Sequence, residues 1–247
     1  VELADRDRVL ASEPLSLSQG SAPRLAFRVP GDGALQMVAR FSPNGFDSLS
    51  SHNQAWISIP AVRSLNVYVP KGLDAFRQAL SAIPQLRIFP DADGVTQAEY
   101  DLVVTDQPSD HDIPAPILCT VGFIPEELAA LVTVKKGHAT FIDWKRNSPL
   151  LQHVLLEDVV LTDEPHRAVE IGETDFRNLG YEILADGPSG PLILEKVENN
   201  VTRIHFLFHP ERSTLPFRVA FPVLVSNLVR ASVQQSSLAE VESNQTG

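Results

Sequence analysis

The chain has 247 residues, 43% of them hydrophobic and 21% charged, the proportions of a globular fold with room for one large core or two ordinary ones. Net charge is −11, with 31 acidic against 20 basic residues and no Lys/Arg stripe, which argues against nucleic acid as a partner because phosphate neutralisation dominates such binding. No apolar run reaches the roughly 20 residues that span a bilayer, and the single cysteine excludes an internal disulfide or a cysteine-rich zinc site.

No charged-then-apolar leader opens the chain. It begins on Val1 and is expected to be a piece of a longer protein. Residues 1–63 show no helical period. Short runs at Pro14–Ser18, Arg24–Val29, Leu35–Phe41 and Ala55–Ile59 are separated by Gly/Pro/Asn/Ser turns, the pattern of a small β-sandwich. Trp56 is expected to plug its core.

The pattern changes near Leu65. An apolar strand over Leu65–Val69 is followed by helical spacing from Lys71 to Ile83, which Pro84 stops. Further strands are expected at Leu86–Phe89, Tyr100–Thr105 and Pro116–Thr120, giving a parallel sheet with crossovers. Asp91–Glu99 is short for a crossover helix and is expected to be a turn. Later strands fall at Ala139–Asp143, Asp158–Thr162, Leu179–Leu184, Leu192–Val197 and Val201–Phe208, with a hairpin turning at Glu198-Asn199-Asn200. A last helix covers Pro216–Val233, kinked by Pro222 or starting near it. The polar stretch 234–247 is expected to be a frayed tail. The domains are thus 1–63, a β-sandwich, and 64–233, an α/β unit.

Phe208-His209-Pro210-Glu211 is the segment that raises an enzymatic question. A strand delivering a His and a Glu two residues apart resembles the way class I glutamine amidotransferases present the last two members of a Cys-His-Glu triad. Such chemistry needs a thiolate beside an imidazole that a carboxylate orients. Cys119 is the only thiol, and a nucleophile of that type needs glycines flanking a strand-to-helix turn. Ile117 and Val121 stand where those glycines would be, so Cys119 reads as a buried strand residue. His209 and Glu211 then read as a loop-end salt link or cap. His205 and His209, about 13 Å apart along a strand, cannot share a metal without a bend, and no metal or cofactor is expected. Gly187-Pro188-Ser189-Gly190 reads as a hairpin turn. Asp47-Ser48-Leu49-Ser50-Ser51 reads as a polar turn in which Asp47 accepts nearby backbone N–H groups. The acidic pairs Glu126-Glu127 and Asp163-Glu164 read as solvated surface.

Four segments resemble a bacterial family. Asp47-x-Leu49-x-x-x-Asn53-x-Ala55 followed by Leu65–Val69, then Tyr100-Asp101-Leu102-Val103-Val104-Thr105-Asp106, are two of them. The others are Ser148-Pro149-Leu150-Leu151-x-x-Val154-x-Leu156-x-Asp158-Val159 and Leu215-Pro216-x-Arg218-x-Ala220-Phe221-Pro222-Val223-Leu224-x-x-Asn227. In order and spacing they resemble BatA-like, von Willebrand A-containing membrane proteins, with Ser148 replacing the usual His. The resemblance covers about residues 10–232. It implies a sandwich plus a flavodoxin-like, class I amidotransferase-like domain without catalytic residues. It also implies an extracytoplasmic place in the cell envelope, partners among envelope proteins of the same system, and an association with a MoxR-type ATPase.

The leading expectation is therefore a non-catalytic protein-interaction module. The first alternative is a divergent cysteine hydrolase or amidotransferase using Cys119, His209 and Glu211. The second is small-ligand binding at the carboxyl edge of the parallel sheet, near Val69-Pro70-Lys71, Asp106 and Gly122.

Overall fold

The computed structural model describes residues 1–5, 8–16, 24–29, 35–47, 49–59, 64–94, 96 and 99–245. The chain divides into two compact units, Val1–Arg63 and Ser64–Gly247.

In the first unit β1 (Glu2–Asp5), β2 (Arg8–Ser12), β3 (Leu35–Arg40) and β4 (Gln54–Ile59) form one antiparallel sheet in the order β2-β1-β3-β4. A sandwich needs a second sheet, and the described residues form only this one. Residues 14–16 and Arg24–Val29 are not strands; 17 and 18 lie outside the described residues, as do the expected turns at 19–21 and 30–33. The two first strands instead come from a charged stretch whose Leu3 and Ala4 are buried. Trp56 is not a core plug. It is 72% exposed, because β4 is an edge strand and burial concentrates on Leu3, Ala4, Met37 and Val38 of the central pair.

The second unit is mixed α/β. Its strands and helices are β5 (Leu65–Tyr68), α1 (Asp74–Ser81), β6 (Leu86–Phe89), β7 (Leu102–Thr105), β8 (Ile117–Val121), β9 (Val132–Thr140) and β10 (Asp143–Trp144). They continue with β11 (Val160–Arg167), α2 (Glu173–Asn178), β12 (Tyr181–Asp186), β13 (Pro191–Glu198), β14 (Val201–Phe206) and α3 (Ala220–Gln245). Eight strands form one sheet in the order β10-β12-β13-β14-β8-β7-β5-β6. The run from β14 to β6 is parallel, and the other three strands are antiparallel. β9 and β11 pair separately as a ribbon.

Helices α1 and α3 cover one face of the sheet. Phe76 and Leu80 of α1 and Phe221, Leu224, Val225 and Leu228 of α3 join Val67, Val104, Cys119, Val121, Phe206 and Phe208 in the main core. Phe76 meets Phe221 edge to face at 5.0 Å. Each such side chain contributes about 1.5–3 kcal/mol by leaving water. Pro222 sits in the first turn of α3, where a missing N–H costs nothing. The helix does not end near Val233 but runs to Gln245, so the expected frayed tail is helical through that residue.

The other face differs because, among the described residues, the connections after β6 and β7 carry no α-helix. A turn at Asp91–Gly94 and a short 3₁₀ turn at Pro108–Asp112 take their place. Two smaller clusters lie there, one around Phe89, Tyr100, Val103 and Leu118, the other around Leu128, Phe176, Tyr181 and Leu194. Helix α2, which the sequence did not announce, packs Phe176 into the second. Asn199 and Asn200 both have positive φ (50° and 63°), the geometry of a two-residue hairpin turn between β13 and β14.

Candidate functional site

Parallel strands deliver their carboxyl ends to one edge, the place where open α/β sheets bind ligands. Asp106 directly follows β7, Gly122 directly follows β8, and the chain runs on from β14 to Phe208 and His209. Gly122 has φ +78°, and its N–H donates to the carbonyls of Phe206 (3.0 Å) and Phe208 (3.1 Å). The His209 ring lies directly on it: a Cβ added at Gly122 would stand 2.7 Å from His209 Cδ2.

His209 Nε2 lies 3.6 Å from Asp106 Oδ2, an ion pair only when the imidazole is protonated. The His209 N–H donates to Asp163 Oδ2 (2.8 Å), and Asp163 is gripped by Arg212 at 2.9 Å. Asp163 is thus buried and structural, not solvated surface. His209 Nδ1 and Asp106 Oδ1 are both buried and have no hydrogen-bond partner among the described residues.

The candidate triad is not assembled. Cys119 lies on β8, fully buried, with Val104 and Ile204 beside it on the flanking strands. Burial pushes its thiol far above the ordinary range, so no thiolate forms at neutral pH. Glu211 turns away from His209. Its Oε1 accepts the N–H of Ala75 at 2.7 Å, satisfying an open donor in the first turn of α1. The structure does not bring Cys119, His209 and Glu211 together: the thiol lies in the helix-covered core, and the carboxylate caps a helix.

At the same edge the Val69 carbonyl accepts Arg77 Nη1 at 2.6 Å, while Arg77 Nη2 donates to the Pro90 carbonyl at 3.0 Å. Arg77 therefore ties the ends of β5 and β6 together, a role without a sequence signal because it joins backbone atoms. Pro70 accepts the Leu73 N–H, and Lys71 is exposed. His205 points to the opposite face from Cys119 and shares a 2.7 Å hydrogen bond with Thr120 Oγ1. Among the described residues no group of three or more His, Cys, Asp or Glu side chains could hold a metal.

The less covered sheet face carries a groove of about 700 Å³. Pro108, Phe123, Ile124 and Pro125 line one part, and Glu126, Glu127, Lys196, Glu198 and Arg203 the other. The Tyr181 hydroxyl donates to Glu127 Oε1, and Lys196 Nζ lies 3.3 Å from both Glu127 oxygens and 5.1 Å from the Tyr181 ring centre. Burial works against the Glu127 charge, but the Tyr181 hydroxyl and Lys196 hold its carboxyl below the ordinary range. Glu126 and Glu127 are both exposed, as expected of a surface pair, but Glu127 is anchored there by Tyr181 and Lys196.

No family model and no curated protein matches the chain. It is similar in structure to a protein of Thermoplasma acidophilum that is named as one of the subunits of GMP synthase, at 10% identity and a TM-score of 0.42, over 72% of this chain and 99% of that one. It is also similar to two cytoplasmic proteins of Salmonella typhimurium. One is 10% identical, with a TM-score of 0.43 over 80% of this chain and 94% of that one. The other is 12% identical, with a TM-score of 0.41 over 80% and 96%.

Proposed function

We propose that the chain is a non-catalytic protein-interaction module on a flavodoxin-like, amidotransferase-like scaffold, belonging to a BatA-like, membrane-anchored protein of the bacterial envelope. The observation that supports this most is Gly122. The position that faces His209 carries no side chain and has no room for one, while the sole thiol is buried elsewhere.

The family-like segments supply scaffold contacts. Asp47 accepts the Leu49 N–H (3.0 Å) and the Asn53 amide (2.5 Å). Asp101 accepts Asn66 N–H from β5 and Ser236 Oγ from α3. Asn227 donates to the carbonyls of Leu150 and Gln152. The partners in this reading are other envelope proteins of the same system and a MoxR-type ATPase, and the mixed-charge groove along Phe123–Glu127 is the docking surface.

The test is native-state iodoacetamide labelling together with ammonia release from glutamine. Labelling only after unfolding and no ammonia are expected; rapid native labelling of Cys119 sinks the reading. Binding to the MoxR-type ATPase from the same genome, measured with purified proteins, is expected to weaken when Phe123 is replaced by Glu, and absence of binding removes that partner.

A second reading rests on the unpartnered His209 Nδ1 and Asp106 Oδ1: a small polar ligand held at the carboxyl edge. A metabolite that raises the melting temperature of the native chain but not of Asp106→Asn would support it. If no metabolite does so, the reading is lost.

A further inference from the structure

The helix-covered side of the sheet has an unexplained charge arrangement away from the carboxyl edge. Glu182 on β12 and Glu195 on β13 are direct cross-strand partners, so their side chains leave the same face as neighbours. Like charges in this register are destabilising. Lys145 offsets only one of them, with Nζ 2.6 Å from Glu182 Oε1. Glu195 has no cation within ion-pair distance among the described residues. Burial, then the Glu182 charge, raises the Glu195 carboxyl above its ordinary range, with Lys145 opposing.

The pair opens onto a recess of about 450 Å³, lined also by Lys145, whose charge is taken up by Glu182, and by Asn147, Ser148, Pro149 and Leu184. Ser148 is 8% exposed, yet its Oγ has no hydrogen-bond partner among the described residues. An unsatisfied buried hydroxyl costs stability unless something completes it. Three side chains with free acceptor capacity, Glu182, Glu195 and Ser148, thus border one recess large enough for a small organic group.

We propose that this recess binds a primary ammonium group, with Glu182, Glu195 and Ser148 accepting its N–H donors and Pro149 and Leu184 flanking the attached carbon chain. An ammonium carries three donors and no acceptor, matching three acceptors and one uncompensated negative charge. A bare divalent ion fits less well, since it needs six or more oxygens and the described residues hold no metal-binding cluster there. The assignment stands whether or not the chain is catalytic. Ammonium groups reach such a recess from two sources, a free amine or the lysine side chain of another protein.

Calorimetric titration of the whole chain with cadaverine and with Nα-acetyl-lysine amide tests the site and separates those sources. Saturable binding is expected, weakened about tenfold or more by Glu195→Gln and several-fold by Ser148→Ala, the scale of a lost charge-assisted and a lost neutral hydrogen bond. Affinity should also rise with pH as Glu195, whose carboxyl burial and the Glu182 charge hold above the ordinary range, gives up its proton. Binding of cadaverine alone identifies a free amine; equal binding of the lysine derivative identifies a protein side chain. Absence of saturable binding by both amines overturns the proposal. So does equal binding of neutral pentanediol, displacement by calcium at matched concentration, or undiminished affinity in either variant.

Discussion

The imidazole of His209 rests on the bare Cα of Gly122, so close that a methyl group there would meet Cδ2 at 2.7 Å. Gly122 also holds φ at +78°, a conformation that costs an L residue roughly 1–2 kcal/mol. Gly122→Ala should therefore destabilise the second unit by about 2–4 kcal/mol, strain and overpacking together. In a His209→Ala background the same change should cost about 1–2 kcal/mol less, because the clash is gone. A urea-denaturation double-mutant cycle measures the coupling, and additive effects would show that the ring does not enforce the glycine.

Asn227 ties α3 to the loop after β10. Its Nδ2 donates to Leu150 O at 2.9 Å and to Gln152 O at 2.8 Å, and the residue is 3% exposed. Asn227→Ala removes two hydrogen bonds and leaves the buried Leu150 carbonyl short of a donor. A loss of about 2–3 kcal/mol is expected, with faster hydrogen exchange around Leu150–Val154. A loss confined to α3 would mean that the loop is held by its apolar contacts alone.

Much of the second unit was legible because its periodicities are strong. Leu65–Tyr68, Leu102–Thr105 and Ile117–Val121 are mostly apolar runs, and α1 places Phe76 and Leu80 on one stripe. The burial of Cys119 followed from Ile117 and Val121, which remove the flexible neighbours a nucleophile turn requires. Other features arise only from tertiary contacts. α2 spans Glu173–Asn178 and is anchored mainly by Phe176, too short for a helical period to register. The duties of Arg77, Asp163 and Glu211 involve partner atoms that are backbone and remote in sequence. Asp163-Glu164 looked like surface because a charged pair gives no hint that Arg212 covers it. Trp56 misled for the opposite reason: aromatic character favours burial, but an edge strand offered it little to pack against.

Tyr68 should give the chain an alkaline limit. Burial, then the charge and hydrogen bond of Asp110 (3.1 Å), push its hydroxyl up to about 12 from about 10. The folded state keeps the proton longer than the unfolded one. The stabilising contribution is complete below the unfolded value and is lost as pH rises from about 10 through about 12. Tyr68→Phe should lower stability at neutral pH and flatten the decline in that window. Equal slopes for the two proteins in alkaline urea titrations would exclude Tyr68 as its source.

Glu195 runs with the same sign in the acid range. Its carboxyl is raised chiefly by burial and then by Glu182 across the strand pair, so the folded state prefers the protonated form. The favourable contribution is complete below the unfolded carboxylate value and is lost as pH rises through the folded one. At neutral pH the unfolded chain therefore holds the Glu195 charge more comfortably than the folded chain does. Glu195→Gln abolishes that difference while nearly preserving shape. It should raise the melting temperature at about pH 7 and change it little at about pH 4, where both states are largely protonated. A primary amine that fills the recess should shrink the advantage of the variant at neutral pH, because the ligand stabilises the charged wild-type pair and not the amide. A glutamine variant that is less stable than wild type at neutral pH without any ligand would mean that Lys145 already compensates both carboxylates.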